Sequence, residues 1–190
     1  MFEKSASYAG EGLTFELGDI ADWAPSEPVD LVFANAALHW VDDHATLFAR
    51  LTSALAPGGQ LAVQVPANHD HPSHLVAERV AAEEPFRTAL AGYVRQSPVL
   101  RPELYAELLH RLGYRSQHVR LQVYLHVLPQ PDAVVDWVKG TLLTDYRRRL
   151  PERTYDEFLA RYRALLVSEL PDERPYPFAF KRILLWGRLG

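Results

Sequence analysis

The spacing of apolar residues changes twice in the first third of the chain. In "LTFELGDI", residues 13–20, Leu13, Phe15 and Leu17 alternate with other positions, which predicts a strand with one apolar face. In "VDLVFANA", residues 29–36, the apolar run is nearly continuous, as in a strand buried on both faces. In "DHATLFARLTSAL", Leu47, Leu51 and Leu55 recur at helical spacing, and "PGG" at residues 57–59 is expected to stop that helix. "QLAVQV" is the next strand. Strand, strand, helix and strand in this order predict a βαβ crossover, hence an α/β fold with a parallel sheet.

Beyond Pro66 the texture shifts. "NHDHPSH" reads as a loop. "LVAERVAAEEPFRTALA" and "PELYAELLHRLG" read as helices, and "RSQHVRLQVYLHVL" alternates as a strand does. "PDAVVDWVKGTLL" and "RTYDEFLARYRALLVSEL" are helical, and "FAFKRILLWGRLG" is a strand able to rejoin the sheet. Two long helices between the late strands predict a cap over one end of the sheet. Residues 2–8 have the look of a helix end, stopped by Gly10 and Gly12.

Composition narrows the function classes. The 190 residues are 48% hydrophobic and 23% charged, an ordinary globular balance. A net charge of -4 offers no basic excess for nucleic acid or an anionic membrane. There is no cysteine, so disulfides, thiolate metal sites and a cysteine nucleophile are excluded, which fits a cytoplasmic protein. The first residues show no signal-peptide pattern, and no apolar run is long enough to span a bilayer.

In an open parallel sheet, ligands sit beyond the carboxyl ends of the strands. The first such tip carries Asp19 and Ile20, where a carboxylate can accept from a ligand amine and a backbone N–H can donate to a ring nitrogen. The second carries Asn35, then the small Ala36 and Ala37, then His39 and Trp40 as pocket-wall candidates. The third ends at Gln64 and Pro66, with Asn68 beyond. His69, His71 and His74 match no tetrahedral zinc template, so no metal is expected. "DYRRRLPER" is a basic run with acids around it and reads as a solvated helix end. Trp137, Tyr155, Phe158 and Tyr162 stand at helical spacing and are core by default.

The segments "GDIADW", "VDLVFANAALHWVDDH", "LAPGGQLAVQVPAN", "PSHLVAERVA", "VVDWVKGTLL" and "KRILLWGR" together resemble the class I S-adenosylmethionine-dependent methyltransferases. Within them the chain is most similar to the trans-aconitate methyltransferase group, over nearly its whole length and in the same order. The resemblance implies a Rossmann-like sheet with a helical cap and S-adenosyl-L-methionine as cofactor. It implies that Asp19 holds the adenine amine, with Ile20 supplying a backbone N–H, and that Asn35 and Ala36 border the methionine part. It places His39 and Trp40, the catalytic candidates, beside the donor methyl and the substrate. A cap containing Trp137, Lys139, Thr141 and Tyr146 would close over the acceptor. From charge alone, Lys139 and Arg182 are the cations expected to meet a small-molecule carboxylate substrate. A carboxylate acceptor needs no base; a hydroxyl or amine would make His39 the first candidate base.

The family pattern also has a GxGxG loop after its first strand and an acidic residue ending its second, and neither is found in these 190 residues. Gly10 and Gly12 precede "LTFEL" and follow no strand. The expectation is a single partial, N-terminally truncated domain. Residues 1–66 would be the remainder of the cofactor-binding half, 67–128 helices and a strand, 129–175 the cap, and 176–190 the closing strand. Two function classes follow. One is a methyltransferase. The other is an inactive fragment or interaction subunit, pairing with a separate N-terminal chain or with itself through a bare sheet edge.

Overall fold

The computed structural model describes Ser5 and residues 7–190, so most of the helix expected over residues 2–8 lies outside the described part. Four strands form one sheet: β1 (Val29–Asn35), β2 (Leu55–Pro66), β3 (Tyr114–Leu128) and β4 (Tyr176–Leu189). Their order is β1-β2-β4-β3, with β1 and β2 parallel and β4 antiparallel to both its neighbours. The helix α1 (His44–Ser53) makes the β1-α1-β2 crossover that the period change predicts. Then come α2 (Pro72–Ala82), α3 (Phe86–Ala89), α4 (Pro102–Arg111), α5 (Ala133–Lys139), α6 (Thr144–Arg149) and α7 (Glu152–Glu169).

Two apolar clusters hold these elements. The first lies between α1, α4 and the sheet. Leu47, Phe48 and Leu51 of α1, Tyr105 and Leu109 of α4, and Leu61, Val63 and Val65 of β2 are all buried there. Fully burying a side chain such as Phe48 stabilises the fold by about 1.5–3 kcal/mol. The second cluster gathers α2, α3 and the cap helices α5–α7 on Tyr176 and Phe178 at the start of β4. β4 therefore belongs to both clusters and joins the cap to the sheet.

Four expectations need correction. Residues 13–17 form no strand; Leu13 makes only an isolated bridge to Gly10. Alternation is compatible with a strand, but the backbone also needs a paired strand, and apart from that one bridge none of the described residues provides one. Nor is β1 buried on both faces. It is an edge strand in which Val32 is buried while Leu31 is 53% and Phe33 71% exposed. Third, α1 stops at Ser53, and "PGG" lies inside β2, which starts at Leu55 opposite Val29. The helical stretch at residues 75–91 is also split, with α2 ending at Ala82 and α3 starting after Pro85.

Candidate functional site

The carboxyl ends of β1 and β2 point to one end of the sheet, and the turn after β1 shapes that end. Ala36 takes a left-handed conformation, with φ 51°, and its N–H donates to the Gln64 carbonyl at 2.9 Å. A short 3-10 turn follows, Leu38–Trp40, closed by Val41 N–H donating to the Leu38 carbonyl at 2.9 Å. Asp43 caps α1 by accepting from Thr46 N–H at 3.2 Å and from its hydroxyl at 2.5 Å. The chain from Ala36 to Asp43 is thus fixed at both ends.

A cavity of about 610 Å³ lies on one side of this turn. Asp19, Ile20, Trp23, Phe33, Asn35 and Leu38 are among its walls. Asp19 accepts from Ala21 N–H at 2.8 Å through one oxygen, so the other is open to a ligand. Arg50 donates to the Ile20 carbonyl at 3.3 Å and steadies the segment. Three of the four residues expected around a cofactor, Asp19, Ile20 and Asn35, therefore share one cavity. Ala36 is not on its wall, and its N–H is engaged by Gln64.

A second cavity, of about 660 Å³, opens on the other side. His39 and Trp40 line it, so consecutive residues of one turn face two cavities. Opposite them stand Arg95 and Tyr93 from the loop after α3, and Asp145, Arg148 and Arg149 from α6. Arg95 lies over the Trp40 ring, 4.6 Å from its centroid, and forms an ion pair with Asp145. Arg149 lies 3.7 Å over the Tyr93 ring. Among the described residues, no carboxylate is within ion-pair distance of Arg148 or Arg149, so neither charge is neutralised by an acid at the cavity. Three guanidinium groups outnumber the two carboxylates, Asp42 and Asp145.

His39 is held neutral. Burial, then the charges of Arg95 and His44, lower its pKa from 6.5 to about 4. Its Nδ1 is buried with no hydrogen-bond partner among the described residues.

None of Trp137, Lys139, Thr141, Tyr146 and Arg182 is on this wall. Trp137 packs on His126, Phe178 and Phe180. Lys139 is exposed at the end of α5, and the Thr141 hydroxyl donates to the Val138 carbonyl at 3.3 Å. Tyr146 is fully buried, and its hydroxyl accepts from Arg95 N–H at 3.2 Å, so it acts one layer behind the cavity. Arg182 donates to Gln64 at 2.9 Å. Arg95, Arg148 and Arg149 line this cavity but carry no motif that marks them. The "RRR" run is exposed at the end of α6, as expected for a solvated helix end, with Arg148 and Arg149 at the cavity as well.

A methyltransferase-domain family profile matches residues 8–119. Trans-aconitate 2-methyltransferase of Deinococcus radiodurans is 45% identical over 190 residues, covering 97% of this chain and 72% of the relative. The chain belongs to the class I S-adenosylmethionine-dependent methyltransferases, in the trans-aconitate 2-methyltransferase group. Trans-aconitate 2-methyltransferases of Streptomyces coelicolor and Rhizobium meliloti are 40% and 44% identical over 99% and 84% of this chain. The chain spans only 65% and 62% of their lengths. The YcgJ protein of Bacillus subtilis superposes over the whole chain and 78% of its own, with a TM-score of 0.56 at 16% identity, which shows a shared fold. The cofactor of this methyltransferase family is S-adenosyl-L-methionine. The first cavity suits it, having a size usual for small ligands, apolar and aromatic walls, and an open carboxylate oxygen at one end. Among the described residues there is no metal-ligand cluster and no helix long and apolar enough to cross a membrane.

Proposed function

We propose that this chain transfers a methyl group from S-adenosylmethionine to a carboxylate of a small polycarboxylate resembling trans-aconitate. The observation that carries this reading is the second cavity, which Arg95, Arg148 and Arg149 line together with His39 and Trp40, on a turn whose Leu38 lines the cofactor-sized cavity. Guanidinium groups bind carboxylates with two parallel hydrogen bonds, and several converging on one space favour an acceptor with more than one carboxylate. The names of the curated relatives point the same way. Those likenesses lend the inactive-fragment alternative no support.

The roles divide along the turn. The open oxygen of Asp19 would accept from the adenine amine, with Ile20 and Trp23 beside the ring and Asn35 bordering the methionine part. S-adenosylmethionine supplies an electrophilic methyl group on a sulfonium. Arg148 and Arg149 would hold the acceptor's carboxylates, while Trp40, with Arg95 stacked on it, would shield the meeting point from water. A carboxylate is already ionised at neutral pH, so no proton has to leave. His39, with a pKa of about 4, is too weak a base to deprotonate a hydroxyl or an ammonium efficiently, which favours the carboxylate.

Arg148→Ala and Arg149→Ala test the reading. Each removes a charge-assisted contact worth about 1.5–3 kcal/mol and should raise the acceptor KM roughly tenfold or more. Affinity for S-adenosylhomocysteine should hold. Acceptor KM values unchanged in both variants would sink the assignment.

A further inference from the structure

Behind the two cavities runs a buried polar chain whose side chains, His44 and Tyr105, line neither of them. His44 is 2% and Tyr105 0% exposed. His44 Nε2 lies 3.1 Å from the Leu38 carbonyl, and its Nδ1 is hydrogen-bonded to the Tyr105 hydroxyl. The Leu100 N–H donates to that same hydroxyl at 3.3 Å. A carbonyl can only accept, so Nε2 carries the imidazole proton. Nδ1 of the neutral ring then accepts from the Tyr105 O–H, whose oxygen takes the Leu100 N–H. Every polar atom in the chain is satisfied by this one arrangement. Burial lowers the His44 pKa and keeps the ring in that neutral form.

The ends of the chain give it meaning. Leu38 opens the turn whose next two residues, His39 and Trp40, line the second cavity. Leu100 follows the loop that carries Arg95, Gln96 and Pro98 to the same cavity. One phenol thus ties together two walls that meet where Arg95 covers Trp40. We propose that Tyr105 and His44 are positioning residues for methyl transfer, setting the place of His39 and Trp40 against the Arg95 wall by hydrogen bonds to Leu38 and Leu100. This rests on reading the second cavity as the acceptor site.

Tyr105→Phe removes a single oxygen and keeps the ring that stands 5.3 Å from Phe48. The acceptor kcat/KM should fall roughly ten- to a hundredfold, as small misplacements of reacting groups do. S-adenosylhomocysteine affinity should stay the same. His44→Asn, which cannot reach the Leu38 carbonyl, should behave likewise. His44→Gln, with a donor near the position of Nε2, should recover most of the activity. In nitrogen–proton spectra the Trp40 indole signal, assigned with Trp40→Phe, should shift or broaden in Tyr105→Phe. The Trp186 indole, held 2.9 Å from Gln60, should stay in place and serves as the control. A lower melting temperature with unchanged kcat/KM and an unmoved Trp40 signal would overturn the proposal. So would equal losses in His44→Gln and His44→Asn. The indole readout needs no turnover, so a chain that methylates no carboxylate would count against the proposed function while the Trp40 signal still decides the relay.

Discussion

At the scale of single residues, the proposed chemistry turns on His39, which loses its charge because burial and Arg95 disfavour the imidazolium. A His39→Gln variant should therefore keep most of its kcat, and the wild-type rate should be flat between about pH 6 and 8, well above the His39 pKa. A steep rise in rate through that range, abolished in the variant, would instead make His39 a base and the acceptor a hydroxyl or amine. Asn35 was legible from pattern as the last residue of β1, whereas Asp19 and Ile20 reach the same cavity without the strand expected before them, so their grouping followed from the resemblance and not from a strand tip. The clustering of Arg95, Arg148 and Arg149 was not legible, because no motif links a loop after α3 to a helix fifty residues later. Tyr146 packed behind Arg95, the Arg95–Asp145 ion pair and Arg149 over the Tyr93 ring bring the two segments together.

At the scale of elements, periodicity read helices and long paired strands well and edges poorly. α1, α4, α7, β3 and β4 fall close to where the apolar spacing puts them. The failures at residues 13–17 and in β1 have one cause: an alternating or continuous apolar pattern reports what a strand could bury, not whether a neighbour is there to receive it. The start of β2 was misread for another reason. "PGG" is a helix stop by composition, yet here Gly59 lies in a strand against Ala56, whose carbonyl would be 2.8 Å from an added Cβ. Close packing of this kind also marks β4. A Cβ on Gly187 would stand 2.6 Å from the buried Tyr114 ring, which pairs across the β3–β4 ladder. Gly187→Ala should destabilise the protein by about 1–3 kcal/mol, read as a lower denaturant midpoint with an unchanged slope. No change in midpoint would mean that the ring moves freely.

At the scale of the whole molecule, the histidines link stability to pH. Burial, more than any neighbouring charge, lowers His74 on α2 and His39 from 6.5 to about 4. Between those values the unfolded chain binds protons that the native fold refuses. Their contribution is present above about pH 6.5 and is lost as pH falls towards 4. The melting temperature should drop across that window, and His74→Asn should flatten the drop; an equally steep fall in the variant would place the effect elsewhere. The larger pattern is a division of labour. The parallel half of the sheet presents the turn with its two faces, and the loop after α3 and the cap bring Arg95 and then Arg148 and Arg149 to one of them. The most direct test is incubation of the chain with S-adenosylmethionine labelled in its methyl group and with trans-aconitate, followed by mass spectrometry of the small molecules. The account predicts a labelled monomethyl ester, formed only when the acceptor is present and much reduced in Arg149→Ala. Labelled cofactor bound to the protein, with no ester from trans-aconitate or any other small polycarboxylate, would contradict it.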